Sequence, residues 1–264
     1  EGIWSLRKVR LAYGGPVGTV YQATTAAYGT VAFDTADTIS GSSVVTITVA
    51  GTSGYSVGQQ VTLTAFAAAA DVHLTQWNDQ SGNGRHLTGG AVTTAPRLYI
   101  AGVLQLLGTK PCLACDGSND YLATSYTRNQ PHSLVIAAQG AIAGGISNLS
   151  SAGSTGAADV DVNHTVATKT FMYAGTVLGD TTVRSGSPFV IASKFNGASS
   201  AIYANRATVA TGNAGSANAT TMHIGALYNL SAYYANKDWE VLAYSGAATD
   251  LDSVQADLMT YYGR

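Results

Sequence analysis

Apolar and polar residues alternate with a period of two along several short stretches of this chain. Residues 43–49 read Ser-Val-Val-Thr-Ile-Thr-Val and residues 59–65 read Gln-Gln-Val-Thr-Leu-Thr-Ala, and a loop with three glycines lies between them. Such alternation is typical of strands with one buried face, and two such runs joined by a glycine-containing loop predict a β-hairpin over residues 43–65.

Short strand-like runs continue through the rest of the chain. We predict them near 97–107, 111–115, 121–126, 132–139, 168–174, 188–195, 200–204, 220–226 and 238–245. Gly, Ser and Asn separate these runs at short intervals, as they do in sandwiches and barrels. Residues 140–160 are small and polar, and we expect them to form a mobile connection.

Two stretches have helical spacing. Ser5 is placed to cap a short N-terminal helix in which Leu6, Val9 and Ala12 or Tyr13 share a face before Gly14. Near the other end, Thr249 is the expected cap, with Asp252 three residues later. The apolar face of this second helix is expected to consist of Leu251, Val254, Leu258 and Tyr261 or Tyr262.

Composition favours strands and turns over helices. Charged residues make up only 11% of the 264 residues, glycine occurs 30 times, and the formal net charge is −2. The absence of a concentrated basic face disfavours nucleic-acid binding, and no apolar run approaches the roughly 20 residues of a membrane span. We expect one domain over 1–264, with the hairpin at 43–65 inserted in it, and interpret the initial Glu1 as a sign of processing or of a longer chain.

A turn rich in small and polar residues follows one of the apolar runs. It reads Trp77-Asn78-Asp79-Gln80-Ser81-Gly82-Asn83-Gly84-Arg85. Trp77 is suited to anchor a core, and Asn83 to shape the turn. Asp79 and Gln80 have the chemistry to hold a sugar hydroxyl or an ion, but short polar side chains more often bond backbone N–H groups of their own turn, which is the role we predict.

These landmarks, with several others, resemble the concanavalin A-like (LamG/lectin-glucanase) jelly-roll superfamily. The other matching pieces are Ser5 to Gly15, Val20-Tyr21-Gln22, Lys110-Pro111, Asp116 to Leu122, Ile224-Gly225-Ala226, Trp239 to Gly246 and the closing helix. They are most similar to copies in bacteriophage virion proteins and in the catalytic domain of arabinofuranosidase B. The resemblance implies an all-β, two-sheet antiparallel jelly-roll sandwich with short N-terminal and C-terminal helices.

The arabinofuranosidase resemblance implies a retaining glycosidase that uses two carboxylates. The family nucleophile lies in a strand that reads Gly-His-Met-Glu-Ala-Ile-Tyr-Leu-Gly, and the matching residues 168–175 contain no carboxylate. The family acid follows an Ile-Gly strand, and residues 224–229 here also lack one. Glu240 matches a family Glu at a position that is not catalytic. Three acidic residues are displaced candidates: Asp159, Asp161 and Asp180. Because both catalytic positions are empty, we expect no enzymatic activity.

Two further patterns consist of residue types that bind metal ions. Asp116, Ser118 and Asp120 alternate like the oxygen ligands of a calcium loop, and the alternative is a plain turn ahead of Tyr121. Cys112-Leu113-Ala114-Cys115 is a CxxC without a second ligand pair, and residues three apart on a strand point to opposite faces. We therefore interpret the cysteines as buried apolar residues and keep calcium as the one candidate cofactor.

A loop before the last strand carries several rings with polar tips. Its candidate carbohydrate-binding or interface residues are Tyr228, Asn229, Tyr233, Tyr234 and Asn236. Such residues suit sugar stacking and protein interfaces equally, and strand-packing aromatics are the alternative.

Taken together, these features predict a non-enzymatic surface protein of a bacteriophage virion, either a capsid decoration, a head fibre or a tail-associated module. The expected partners are other virion proteins or symmetry mates in a homo-oligomer, and host-surface polysaccharide; the expected location is the virion surface or the extracellular space. The hairpin at 43–65 is the expected contact. The alternatives are a lectin module of a secreted protein and an arabinofuranosidase-like glycoside hydrolase with relocated carboxylates.

Overall fold

The structure is a computed structural model. It describes residues 1–140, 146–151, 153, 161–165, 169–179, 189–227, 229–230, 233, 235–246 and 250–263.

Short strands dominate the described chain. In the first half they are β1 (Gly2–Ser5), β2 (Gly18–Gln22), β3 (Ala27–Val31), β4 (Val44–Val49), β5 (Gln60–Thr62), β6 (Val72–Trp77), β7 (Leu87–Thr88), β8 (Arg97–Ile100), β9 (Val103–Leu104), β10 (Leu106–Leu107), β11 (Lys110–Pro111) and β12 (Leu113–Asp116), with helix α1 (Leu63–Ala67) after β5. In the second half they are β13 (Leu122–Arg128), β14 (His132–Gly140), β15 (Ile146–Ser151), β16 (Asp161–Thr165), β17 (Lys169–Tyr173), β18 (Val177–Gly179), β19 (Phe189–Phe195), β20 (Ser200–Ala204), β21 (Ala207–Gly212), β22 (Ala219–Ile224) and β23 (Ala235–Ser245), with helix α2 (Leu251–Tyr261) at the end.

The strands form two antiparallel layers. In the first layer, β23 pairs with β1 and β12 on one side and with β14 on the other, and β19, β20 and β21 follow β14. The second layer runs in the order β5-β4-β3-β2-β6-β7-β13-β22-β15-β16-β17-β18. Strand β8 pairs with β12 and with β6, and so joins the layers at one edge. The predicted all-β antiparallel sandwich is confirmed.

Two apolar clusters hold the layers and the last helix together. The larger cluster lies between the layers and includes Leu134 and Ile136 of β14. The smaller one contains Val135 and Ala137 of the same strand, together with Leu258 of α2. The middle of strand β14 is therefore buried on both faces, which explains why residues 134–138 form an apolar run and do not alternate.

The predicted hairpin forms, and it is part of the second layer. Strands β4 and β5 pair antiparallel, and β4 also pairs with β3, with Val31 opposite Val45. Val45 and Ile47 are buried in the main core. The hairpin thus packs on the core of its own chain. The second predicted strand is shorter than expected, because α1 starts at Leu63 and buries Phe66 in the same core.

The predicted N-terminal helix is wrong. Gly2–Ser5 forms β1, paired with β23, and no helix follows it. The backbone N–H of Ile3 donates to Asp79, that of Val9 donates to Gln80, and that of Lys8 donates to the carbonyl of Asp37. Remote partners therefore use the N–H groups that a helix would need, and tertiary pairing overrides the local 3.6-residue spacing.

Two other expectations need correction or refinement. The connection predicted over 140–160 contains strand β15, which pairs with β16 and β22; its remaining residues lie mostly outside the described part. Helix α2 is confirmed, but its cap is Asp250, whose carboxylate accepts from the N–H of Ser253. The expected cap, Thr249, lies outside the described residues.

The organisation as one domain with an insertion stays a prediction.

The turn after Trp77 collects hydrogen bonds from distant parts of the chain. Trp77 and Asp79 are 0% and 2% exposed. The Asp79 carboxylate accepts from the N–H groups of Ile3, Ser81 and Arg85 at 2.8–3.1 Å and from the Ser81 hydroxyl at 2.7 Å. The bond from Ile3 attaches strand β1 to the turn, and the other three close the turn itself.

Gln80 and Asn83 extend the same attachment. The Gln80 amide accepts from the N–H of Val9 at 2.9 Å and donates to the carbonyls of Ser5 and Arg7 at 3.1 and 2.9 Å. Asn83 donates to the carbonyl of Glu1 at 3.0 Å. These side chains are fully engaged with backbone groups, so the geometry favours the structural role for this turn over sugar or ion binding.

We expect Asp79→Ala to lower the free energy of unfolding by about 3 kcal/mol, because one buried and two partly buried N–H groups would lose their acceptor. Denaturant unfolding of the two proteins measures the change. Asp252→Ala is the matched control, since this carboxylate is exposed and pairs only at the surface with Arg206. Equal losses in the two variants would contradict a specific role for Asp79.

Candidate functional site

The outward surface of the second layer is free of helices in the described part of the chain. Helix α1 packs with β4 and β5, and α2 packs with β14 and β19 of the first layer. We define the outer face as the half-buried or exposed residues of β13, β22 and β17 whose neighbours in sequence are mostly buried in the core. They are Ala123, Ser125, Thr127, Phe171, Tyr173, Thr221 and His223.

Strand pairing places this face in a continuous row. Ala123 of β13 lies opposite His223 of β22, and His223 lies opposite Ser151 of β15. Two strands further along, Asp161 of β16 is the cross-strand neighbour of Tyr173 of β17. Directly opposed residues of antiparallel strands have Cα atoms about 4.5–5.5 Å apart. The register therefore places a histidine on β22, an acidic residue two strands away on β16 and a tyrosine on the next strand, β17.

His223 is the titratable group of this row whose surroundings are best defined. Its ring lies 6.3 Å from the ring of Tyr121, centroid to centroid. Its Nδ1 atom is buried without a hydrogen-bond partner. Burial lowers the pKa of His223, so the imidazole is neutral at pH 7 and can offer one donor and one acceptor. This arrangement suits hydrogen bonding to an uncharged hydroxyl ligand.

The predicted tyrosine loop is only partly described. Tyr228 and Tyr234 lie outside the described residues. Asn229 is exposed, and Tyr233 forms a backbone bridge to Ala226. Asn236 belongs to strand β23, opposite Cys115 and Gly140, so its placement in the loop is wrong. Strand β23 begins at Ala235 because it pairs there with both β12 and β14, although the composition of its first residues is typical of a loop.

The candidate calcium residues form a tight turn between β12 and β13. The Asp116 carboxylate accepts from the N–H groups of Ser118 and Asn119 at 2.8 and 3.3 Å, and Asp120 accepts from the N–H of Asp116 at 2.9 Å. Burial and the neighbouring charge of Asp116 raise the pKa of Asp120 to about 6. Across the described chain, no group of three or more His, Cys, Asp or Glu is arranged to hold a metal ion. Calcium binding here stays a prediction.

Glu240 and the cysteines have structural surroundings. Glu240 is fully buried and pairs with Arg7, whose Nε lies 2.9 Å from the carboxylate. Arg7 also pairs with Asp257 of α2, so one guanidinium joins the first layer to the helix. Cys112 and Cys115 are buried, and neither forms a disulfide. Cys112 lies in the cluster beneath α2, and Cys115 lies against Gly225, in agreement with the expected divergence.

Residue-by-residue reasoning missed Tyr121, Tyr173 and His223 as a group. They are 50 or more positions apart along the sequence. Tyr121 contacts His223 through its ring, whereas Tyr173 lies three strands away from His223, and only the strand pairing places it on the same face. The period-two alternation in β22, with Met222 and Ile224 buried on either side of His223, is the one local signal that assigns His223 to the outer face.

Comparison with solved structures identifies carbohydrate-active enzymes with this fold. An arabinofuranosidase complexed with arabinofuranosyl-α-1,2-xylobiose matches 97% of this chain with a TM-score of 0.65 and 13% identity, and 61% of that structure is covered. A GH54 α-L-arabinofuranosidase soaked with a cyclic sulfate inhibitor matches 97% of the chain with a TM-score of 0.61 and 15% identity, and 62% of it is covered. A Trypanosoma rangeli sialidase in complex with sialic acid matches 70% of the chain with a TM-score of 0.51 and 12% identity, and 30% of it is covered. No protein-family model and no curated protein sequence matches the chain.

These matches correct one expectation and bear on another. The prediction that the chain is not an enzyme is contradicted, because the fold that it shares over nearly its whole length is that of glycoside hydrolases. The chain spans about three fifths of the length of the two arabinofuranosidases. The predicted similarity to arabinofuranosidases is confirmed at the level of the fold, and the phage resemblance finds no support. Among the described residues, no helix is long and apolar enough to cross a membrane.

We expect the stability of the protein to fall between about pH 4 and pH 6 through Asp120. Its pKa in the folded protein, about 6, is above the ordinary value of 3.8, so the folded state holds a proton that the unfolded chain has released. The stabilisation is present below pH 4 and lost as the pH rises through 6. Asp120→Asn should remove this slope, worth at most about 2 kcal/mol after solvent screening, in urea unfolding measured from pH 4 to pH 8. An unchanged slope would assign it to other groups.

If calcium binds at Asp116, Ser118 and Asp120, it relieves the repulsion between the two carboxylates. Millimolar calcium should then raise the melting temperature, EDTA should reverse the rise, and Asp120→Asn should be insensitive. Differential scanning calorimetry in metal-free buffer provides the measurement, with magnesium as the control. A melting temperature that calcium leaves unchanged would end the calcium hypothesis.

Proposed function

We propose that this protein is a carbohydrate-active enzyme of the glycoside hydrolase type that binds a glycan on the outer face. The observation that carries the proposal is the pairing of Asp161 with Tyr173 on the surface that no described helix covers. The shared fold of the two arabinofuranosidases supports it. The face also has the chemistry of a sugar site, with aromatic rings beside hydroxyl and imidazole groups.

Asp161 is the proposed reactive carboxylate. The family strand reads Met-Glu-Ala at its nucleophile, and the matching residues here are Met172, Tyr173 and Ala174. Tyr173 therefore occupies the position of the missing Glu, and Asp161 lies directly opposite Tyr173 on the next strand. The acidic position is thus one strand spacing, about 4.8 Å, from the position that matches the family nucleophile.

A glycoside hydrolase needs a second carboxyl group at a restricted distance. The two groups are about 5–5.5 Å apart in retaining enzymes and about 6.5–9.5 Å apart in inverting ones. Asp120 precedes β13, which lies three strands from β16, and three spacings of about 4.8 Å make roughly 14 Å. Asp120 is therefore excluded as the partner of Asp161. Asp159 and Asp180, the two other acidic candidates, are proposed for this role.

The proposed chemistry assigns each group a task. A carboxylate of Asp161 attacks the anomeric carbon or activates water, while the second carboxylic acid gives its proton to the leaving oxygen as the glycosidic bond breaks. Tyr173 and Phe171 present rings for stacking, and neutral His223 bonds a sugar hydroxyl. Arabinofuranosides are the first substrates to test because of the shared fold.

We also propose partners and a location for the protein. The low charge suits a particle surface or the extracellular space, with virion proteins, symmetry mates or host-surface polysaccharide as partners and a homo-oligomer as the assembly. The hairpin loop between β4 and β5 carries the exposed Val57 and is the proposed contact. Co-purification of the chain with virus particles, and its loss on deletion of residues 43–65, tests this proposal separately from the enzymatic one.

Asp161→Asn should abolish turnover while leaving glycan binding intact. We expect a loss of at least about 10³-fold in kcat on aryl arabinofuranosides or host polysaccharide, because the amide cannot act as nucleophile or base. Reducing-sugar release measures turnover, and isothermal titration calorimetry with the same glycan measures binding. Asp159→Asn and Asp180→Asn identify the proton donor by their effect on the alkaline limb of the pH profile.

The matched control is Asp252→Asn, which removes an exposed carboxylate far from the outer face. Turnover that survives Asp161→Asn would overturn the assignment of this residue. Binding without turnover in the unsubstituted protein would overturn the hydrolase and favour the lectin alternative. Neither binding nor turnover on any tested glycan would overturn the proposed function.

A further inference from the structure

A cluster of polar groups lies inside the sandwich with its bonding capacity unused. Arg128, at the end of β13, is 2% exposed, and its Nε and Nη1 atoms are buried without a hydrogen-bond partner among the described residues. Within the same part of the chain, the hydroxyls of Tyr126 and Ser193 are also buried without a partner. Such groups are rare in folded proteins, because buried donors and acceptors almost always find a partner.

The charge of Arg128 makes the cluster exceptional. Among the described residues, no carboxylate pairs with this guanidinium. Its charged neighbour is a second cation, Arg85. The guanidinium carbon of Arg128 lies 5.1 Å from the ring centroid of Tyr126, and that of Arg85 lies 4.1 Å from the same centroid. Burial lowers the pKa of Arg128 to about 10, so it keeps its charge at pH 7. A buried, unpaired cation is strongly unfavourable, and removal of a partner from such a charge is among the costliest changes in a core.

None of the groups described around Arg128 carries a negative charge, and each of them can donate a hydrogen bond. His132 stacks on Phe195 with ring centroids 4.7 Å apart. Burial and the nearby charge of Arg128 lower the pKa of His132 to about 3, so it is neutral at pH 7 and carries one N–H. Ser193 lies on β19 opposite Leu134, two pairs along from the His132–Phe195 pair and so on the same face of the sheet. Hydroxyl, imidazole and guanidinium donors thus surround a region with net positive charge.

We propose that this cluster binds a small inorganic monoanion of the size of chloride. The anion supplies the missing counter-charge for Arg128 and accepts hydrogen bonds from its unpaired N–H groups and from the hydroxyls of Tyr126 and Ser193. All of these side chains are at most 3% exposed. A ligand that enters so closed a place has to be small, which excludes sugars, phosphate esters and peptide carboxylates. The site is independent of the glycan site on the outer face.

Thermal unfolding in sodium chloride and in sodium gluconate at equal ionic strength tests the proposal. We expect chloride to raise the melting temperature along a saturating curve, by roughly 5 °C at a concentration 100-fold above the dissociation constant, and gluconate to have no such effect. Arg128→Met should be as stable as the unsubstituted protein in gluconate and insensitive to chloride, since an apolar side chain needs no counter-ion. Arg206→Met, which removes an exposed guanidinium paired with Asp252, is the control and should keep the full chloride response.

Crystals of the unsubstituted protein grown in bromide test the site directly and do not depend on whether Arg128→Met folds. An anomalous bromide peak within about 3.5 Å of the Arg128 guanidinium would support the site. A melting temperature that depends on ionic strength but not on the anion would overturn it. So would a chloride response of equal size in Arg128→Met, or a bromide map with only water beside Arg128.

Discussion

The buried carboxylate of Asp79 connects the first strand of the chain to the turn that follows β6. It lies in the turn that leaves β6 of the second layer, and it accepts the N–H of Ile3 in β1 of the first layer. Its other acceptor positions are filled by the N–H groups of Ser81 and Arg85, which close the turn. Because the side chain is buried, each of these bonds is costly to lose. One acidic group therefore fixes the beginning of the chain, the shape of the turn and one connection between the two layers.

A second connection between elements depends on charge. Glu240 stands in the middle of β23 with no exposure to solvent, and burial raises its pKa while the Arg7 guanidinium opposes this shift. Arg7 reaches Glu240 from the segment after β1 and also contacts Asp257 of α2. The match of Glu240 to a family residue thus has a structural meaning: it holds the last helix against the first layer.

The strands could be predicted well from local sequence, and the exceptions have physical causes. The hairpin at 43–65 followed from alternation alone, because Val45 and Ile47 face the core while their neighbours do not. The helix expected from Ser5 failed because its N–H groups bond to residues more than 25 positions away, which no local pattern reveals. The candidate site failed for a similar reason. Tyr173 meets Asp161 through a short hairpin, but both reach His223 only through the long-range pairing of β15 with β22. The tyrosine loop was predicted as a binding site from its composition, and composition alone does not show which residues pair with which strand.

The outer face is formed by small, hydroxyl-bearing and aromatic side chains, and none of its seven residues is permanently charged at pH 7. Attraction of a ligand over distances beyond the Debye length, about 8 Å at physiological ionic strength, therefore has no source within these seven residues. Encounters with a neutral polymer would occur at the ordinary diffusive rate, and the association rate would vary little between dilute and saline media. Such a surface binds its ligand more slowly than a charged surface would, but the association rate stays nearly the same across environments of very different ionic strength.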